Sequence, residues 1–209
     1  MMNNVFDEIG RTKLIAVVRV DDADTAVEAA LAIAEGGITA IEIPATVDQF
    51  DRAIRRLSLH GGLAVGAATL FSESDASKAV EAGASFLVSP IFVDEVWDVS
   101  LDSDAQYLPG AATPGEIYSI MEGGFEPIKV FPAECLGGPK YIKSLLAILP
   151  DAKLIPTGGI SSANAREYID AGAFAVGVGG SLLPKGLLEA RDFKAITHLA
   201  FGLRASISE

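Results

Sequence analysis

Side chains that bind metals are scarce in this chain, which has one cysteine, Cys135, and two histidines, His60 and His198, among 209 residues. A single thiol excludes an internal disulfide, and two isolated histidines do not make a metal cluster. Neither a metal nor a cofactor is expected. Long apolar runs are also missing. Half of the residues are hydrophobic, yet no uncharged apolar stretch reaches the about 18 residues of a membrane span, so no membrane partner is expected. Basic residues are too few to balance the acidic ones, 16 against 28, and the formal charge is −12. That balance opposes binding to a phosphate backbone, although a local basic pocket can still hold a small anion. Nucleic acid is therefore not an expected partner. The opening "MMNNVFDEIGRTKLIAVV" shows no basic segment leading into a signal-type apolar core, and a cytoplasmic location is expected.

What the chain does have is a regular beat. Short apolar runs recur at 14–20 (LIAVVRV), 40–46 (AIEIPAT), 63–69 (LAVGAAT), 86–92 (FLVSPIF), 105–110 (AQYLPG), 127–132 (PIKVFP), 153–159 (KLIPTGG) and 175–180 (AVGVGG). They are continuous rather than alternating, which suits parallel strands covered on both faces. Between them lie amphipathic segments such as "DTAVEAALAIAEGG", where Ala26, Ala29, Ala30 and Ile33 fall at helical intervals. Glycines follow these segments in "AEGG", "EAG", "EGG" and "DAG", as expected where a helix ends in a left-handed residue. Eight βα units of about 20 to 25 residues predict an α/β fold, a (β/α)8 TIM barrel, better than a five-unit doubly wound sheet. "NNVFDEIGR" predicts an extra N-terminal helix across the barrel bottom, and "RDFKAITHLAFGLRASI" the closing helix. No linker or shift in composition divides the chain, so residues 1–209 are read as a single domain.

Three charges interrupt these runs. Lys129 stands between Ile128 and Val130, Glu42 between Ile41 and Ile43, and Arg19 between Val18 and Val20. Because strand side chains alternate, the apolar neighbours can face the helices while each charge points into the barrel. A cationic lysine is expensive there, which favours the neutral, nucleophilic amine that imine chemistry needs. A lysine that snorkels to solvent and a purely structural buried ion pair are the alternatives. All three charges lie near the carboxyl ends of their strands, where barrels collect reactive groups. Together they form a working set: an amine nucleophile, a proton shuttle and an anchor for an anion.

The loops after the seventh and eighth runs, "PTGGISSAN" and "VGGSLL", both begin with paired glycines and carry serines. Without Cβ atoms, their backbone N–H groups can approach an oxyanion, and barrel phosphate sites often lie in these two loops. One Gly-Gly is usually a turn; two in these places point to a phosphate or other anion.

With "GGITAIEI", "GAAT", "LVSP", "LPGAATPGE", "KVFPAE", "PTGGI" and "GVGGSLL" in this order, nearly the whole chain resembles the class I 2-keto-3-deoxy-6-phosphogluconate (KDPG) aldolases. That family includes the 4-hydroxy-2-oxoglutarate (KHG) and phosphogalactonate aldolases. The resemblance implies a homotrimer of barrels that uses no metal, with Lys129 as the Schiff-base lysine and Glu42 as the acid/base. Thr69, Pro90 and Phe131 would line the pyruvyl end, Gly158, Gly159, Gly180 and Ser181 the phosphate end, and Thr157 is also expected to bind substrate. Arg19 matches an arginine found in part of the family. The implied reaction is reversible cleavage of a phosphorylated 2-oxo acid, KDPG or its galactonate epimer, to pyruvate and glyceraldehyde 3-phosphate. Alternatives are an aldolase for unphosphorylated 4-hydroxy-2-oxo acids, a barrel that binds such molecules without turnover, and a phosphosugar isomerase or synthase.

The sequence departs from the family pattern at Thr46, where many members carry an arginine that holds the pyruvyl carboxylate. Arg19, assisted by the Thr69 hydroxyl, is expected to replace it. Ala68, Ile91 and Phe92 also differ from the usual residues and bear on the width and polarity of the pocket. Cys135 is expected to be a small buried thiol, and Trp97 to pack a helix on the barrel.

Overall fold

The apolar runs condense into short parallel strands, each shorter than its run because the runs continue into the loops that follow. The structure, a computed structural model, describes residues 5–208. Its strands are β1 (Leu14–Val17), β2 (Ala40–Pro44), β3 (Ala64–Ala68), β4 (Phe86–Val88), β5 (Gln106–Leu108), β6 (Gly110–Ala111), β7 (Ile128–Val130), β8 (Leu154–Pro156) and β9 (Val176–Val178). The fifth run supplies both β5 and β6. Pro109 separates them because it has no N–H to give to a ladder.

Six strands pair in the order β5-β4-β3-β2-β1-β9 and three in the order β6-β7-β8. The two sheets meet where Thr157 bridges Gly177 and where the chain itself runs through Pro109, whose carbonyl accepts the Lys129 N–H at 2.9 Å. The strands thereby form a ring, the (β/α)8 architecture that the repeat predicts. The expected helix over residues 3–11 is present as α1 (Val5–Thr12), with Asn3 and Asn4 outside the described residues. The expected closing helix is the last one, Phe193–Ser208.

Side-chain alternation divides the core in two. Ile41, Ile43, Ile128 and Val130 belong to the layer between strands and helices. Val5, Phe6 and Ile9 of α1 pack with Ile15, Ala40, Ala68, Phe86, Val88, Leu108, Ile155 and Ala175 in a second cluster inside the ring. A β-carbon on Gly66 would lie 2.6 Å from the Phe86 ring, so glycine there makes room for the aromatic plug. Helix starts are capped locally. Asp22 accepts the N–H groups of Asp24 and Thr25 ahead of Ala23–Glu35, and Thr113 and Glu116 form a capping box at Pro114–Glu122. Trp97 packs edge-on against Phe125, ring centres 4.5 Å apart, as part of an aromatic cluster with Tyr107 and Phe92.

Two expectations are corrected. Arg19 is not a charge held within a strand: β1 ends at Val17, and Arg19 is exposed in the loop beyond it. The apolar run misled because Val18 is buried although it follows the strand. Cys135 is exposed rather than buried, because it sits on the surface turn that follows β7.

Candidate active site

Lys129 and Glu42 are brought together from strands that are 87 residues apart in sequence. The Lys129 Nζ donates to Glu42 Oε2 at 3.3 Å, and their side chains are 7% and 2% exposed. Ile128 and Val130 occupy the helix-facing core, so Lys129 must face the interior, as β-alternation requires. The same reasoning fixes Glu42 between Ile41 and Ile43. A buried ion pair contributes little net stability, since the cost of removing both charges from water offsets their attraction. What the pair supplies is chemistry: a carboxylate within reach of an amine can take its proton and expose the nitrogen lone pair.

Around this pair the strand ends build an opening. Val17, in register with Glu42, joins Arg19, Phe131, Thr157, Gly158, Gly159, Ile160, Ser161, Gly179, Gly180 and Ser181 in lining a cavity of about 460 Å³. Phe131 follows Lys129 by two residues and shares its face. Thr157 has the same relation to Ile155, the register partner of Lys129. Gly177 is obligatory beneath it, because a β-carbon there would collide with the Thr157 hydroxyl.

The glycine loops are shaped before any ligand arrives. Gly158 and Gly159 both have left-handed φ angles, 100° and 76°, which side chains disfavour. Asn164 holds the loop by donating to the Gly159 carbonyl at 3.0 Å and accepting the Ser161 N–H at 2.9 Å. The Ser181 hydroxyl donates to the Ile160 carbonyl at 2.9 Å and ties the two loops together. Among the described residues, none of the hydrogen bonds uses the N–H of Gly159, Gly180 or Ser181, three residues of one cavity lining, which leaves these donors available to an oxyanion.

Arg19 lies at the mouth of this cavity, its Nη2 donating to Thr69 Oγ1 at 3.5 Å. Thr69, just past β3, has a positive φ of 60°, an uncommon backbone for a β-branched residue. Thr46 is exposed and contributes nothing to the cavity. Pro90 reaches the site through its backbone, which crosses so near Gly110 that a β-carbon there would collide with the Pro90 carbonyl. Gly110 is in register with Lys129. Sequence reasoning assigned no role to Gly110; the signal was the Pro-Gly pair inside a strand, where glycine often marks a close backbone approach.

No described group of three or more histidine, cysteine, aspartate or glutamate residues could hold a metal ion. A larger groove of about 860 Å³ is lined by Ile91, Phe92, Gly110, Ala111, Ile120 and Phe125 among others; neither it nor the smaller cavity has Lys129 or Glu42 in its lining.

Known proteins resemble this chain along most of its length. The family model described as aldolase, KDPG and KHG aldolase, matches residues 5–199. A 2-dehydro-3-deoxy-phosphogluconate aldolase of Pseudomonas aeruginosa is 36% identical over 190 residues, 90% of this chain and 86% of that one. A 2-dehydro-3-deoxy-6-phosphogalactonate aldolase of Escherichia coli is 31% identical over 176 residues, 83% and 85% of the two chains. Among solved structures, a KDPG aldolase of Legionella pneumophila with pyruvate captured as a covalent carbinolamine superposes with a TM-score of 0.84. It is 27% identical, with 93% of this chain and 97% of that one covered.

Proposed function

The chain belongs to the KDPG and KHG aldolase family of lyases, and from that premise we propose that it is a class I aldolase cleaving KDPG or its galactonate epimer. The products are pyruvate and glyceraldehyde 3-phosphate, and the reverse reaction is aldol addition. The observation that carries this reading is the buried Lys129–Glu42 pair, 3.3 Å apart, on strands whose carboxyl ends lead into a cavity walled by two glycine loops.

The steps follow from the geometry. Glu42 accepts the proton of the Lys129 ammonium, and the neutral amine attacks the C2 ketone. Glu42 returns that proton to the carbinolamine hydroxyl, which leaves as water, and the resulting iminium withdraws electrons from C3. Glu42, directly or through a water, takes the proton of the C4 hydroxyl as the C3–C4 bond breaks. The aldehyde departs, C3 of the enamine is protonated, and hydrolysis returns the lysine with release of pyruvate. Arg19 and Thr69 hold the pyruvyl carboxylate in place of the arginine absent at Thr46, with Pro90 and Phe131 packing the same end. Thr157, Gly158, Gly159, Gly180 and Ser181 hold the phosphate. A barrel that only binds its ligand has no use for two charges buried this deeply.

We also propose that residues 1–209 act as one domain, that the protein is a cytoplasmic homotrimer, and that it needs neither metal nor cofactor. Among the described residues no helix is long and apolar enough to cross a membrane. Sedimentation velocity tests the trimer directly. The test of the chemistry is incubation with pyruvate and borohydride followed by peptide mass spectrometry. A reduced pyruvyl adduct on Lys129 is expected; a folded protein that binds pyruvate and yields no adduct sinks the proposal.

A further inference from the structure

The carboxylate of Glu134 lies against the glycine cradle. A β-carbon built on Gly159 would collide with Glu134 Oε2, and its next neighbours are Cβ and Cδ of the same side chain. This is not an accident of a loose surface chain, because the backbone beneath it is fixed at both ends. The Glu134 N–H donates to the Gly158 carbonyl at 3.2 Å, the Ala133 N–H to the Thr157 carbonyl at 2.9 Å, and the Gly137 N–H to the Glu134 carbonyl at 3.1 Å. Residues 133–134 therefore run alongside 157–158 as an extension of the β7–β8 pairing. Only the side chain is free to turn.

Charge makes that position consequential. The cavity lining contains one charged side chain, Arg19. Lys185, on the helix after the second glycine loop, is 89% exposed and paired with Glu189 at 3.6 Å. The glycine loops thus offer an oxyanion backbone dipoles and hydroxyls, Arg19 is the one cation in the cavity lining, and the Glu134 carboxylate, not itself a lining residue, lies against Gly159. The field of that charge is felt nearby. The Tyr168 hydroxyl, buried beneath the same turn, is pushed up by burial first and by Glu134 second.

We propose that Glu134 is a specificity-determining residue that opposes phosphate at the cradle and so sets how strongly the enzyme prefers phosphorylated over unphosphorylated 2-oxo acids. The inference rests on the assignment of these loops to the substrate's distal end. Discrimination by a built-in repulsive group is a common way to tune a ratio of affinities, and repulsion between an exposed carboxylate and a dianion about 6 to 12 Å away in a water-like dielectric amounts to about 3- to 10-fold in binding. Glu134 touches neither Lys129 nor Glu42 in this arrangement. Its effect belongs in KM rather than in kcat.

The test compares wild type with Glu134→Gln, an isosteric change at an exposed position, on two substrates: KDPG, and the same 2-keto-3-deoxy acid with a free C6 hydroxyl. KM for the phosphorylated acid should fall about 3- to 10-fold, kcat should hold within about twofold, and KM for the unphosphorylated acid should hold as well. The gain should shrink between about 0.01 and 0.5 M salt, as repulsion between exposed charges is screened. A wild type that prefers the phosphorylated acid, with Glu134→Gln unchanged or weaker on it, overturns the role of Glu134 and leaves the cradle standing. Equal KM values for both acids in both proteins remove the cradle itself, and the inference with it.

Discussion

The lower and upper layers of the barrel interior are built from the same strands, two residues apart, and have opposite chemistry. On β2 Ala40 belongs to the apolar plug and Glu42 to the ion pair; on β8 Ile155 is in the plug and Thr157, just beyond it, in the cavity wall. One step along the pleat changes packing into reactivity. The lower layer, closed by Val5, Phe6 and Ile9 of α1, gains from burial what the upper layer loses by taking two charges out of water. Barrels separate these tasks by depth, so each layer can be altered with a distinct readout.

The largest expected effect lies in the upper layer. Lys129→Met should cut aldolase turnover by about 10⁴-fold or more and abolish the borohydride-trapped adduct. It should also destabilise the fold by about 3–5 kcal/mol, because Glu42 is left buried without its partner. Pairing it with Glu42→Leu should return the melting temperature to wild type or above while activity stays absent. A double variant less stable than the single one would mean that the pair serves the scaffold. In the lower layer Phe86→Ala should remove about 3–5 kcal/mol of unfolding free energy, measured in urea, with KM for pyruvate unchanged in the remaining folded protein. A large rise in KM would erase the distinction between the layers.

At the rim, Arg19→Ala should raise KM for pyruvate by about tenfold and leave the melting temperature alone, since Arg19 is exposed. An unchanged KM would remove it as the substitute for the arginine missing at Thr46. The smallest effect lies outside the ring. Glu116 is held below the usual carboxylate range, first by the Ala112 N–H and then by the Thr113 N–H and hydroxyl. A carboxyl lowered on folding stabilises above its unfolded value and loses that contribution as pH falls through the folded one. Glu116→Gln should therefore cost about 1 kcal/mol near neutral pH. Thermal melts should show the gap closing in strong acid.

The eight βα units were legible because continuous apolar runs, helical spacing and terminal glycines all agree. The strand ends were less so. Each run continues past its strand, as "LIAVVRV" does beyond Val17, since the loops at the carboxyl ends are themselves partly buried around the site. That is why Arg19 read as a strand residue. Lys129 and Glu42 were legible because a charge flanked by isoleucine and valine is conspicuous. Gly110 and Glu134 were not: their importance lies in what passes beside them, the Pro90 backbone and Gly159, and no spacing in one sequence records such a crossing. Pro109 divided one expected strand into two for the plain reason that it lacks a donor.

That division has a mechanical consequence. Lys129 and Glu42 lie in different sheets, one of three strands and one of six, joined at one side through Pro109 and its bond to the Lys129 N–H, and at the other through the Thr157–Gly177 bridge and the Phe174 N–H to Leu154 carbonyl bond. Like two staves of a cask held by weak hoops, the plates can flex against each other without breaking their own ladders. The amine-to-carboxylate gap is then a distance between two stiff bodies, and hydrogen exchange should find β6–β7–β8 opening as a unit apart from the six-stranded plate.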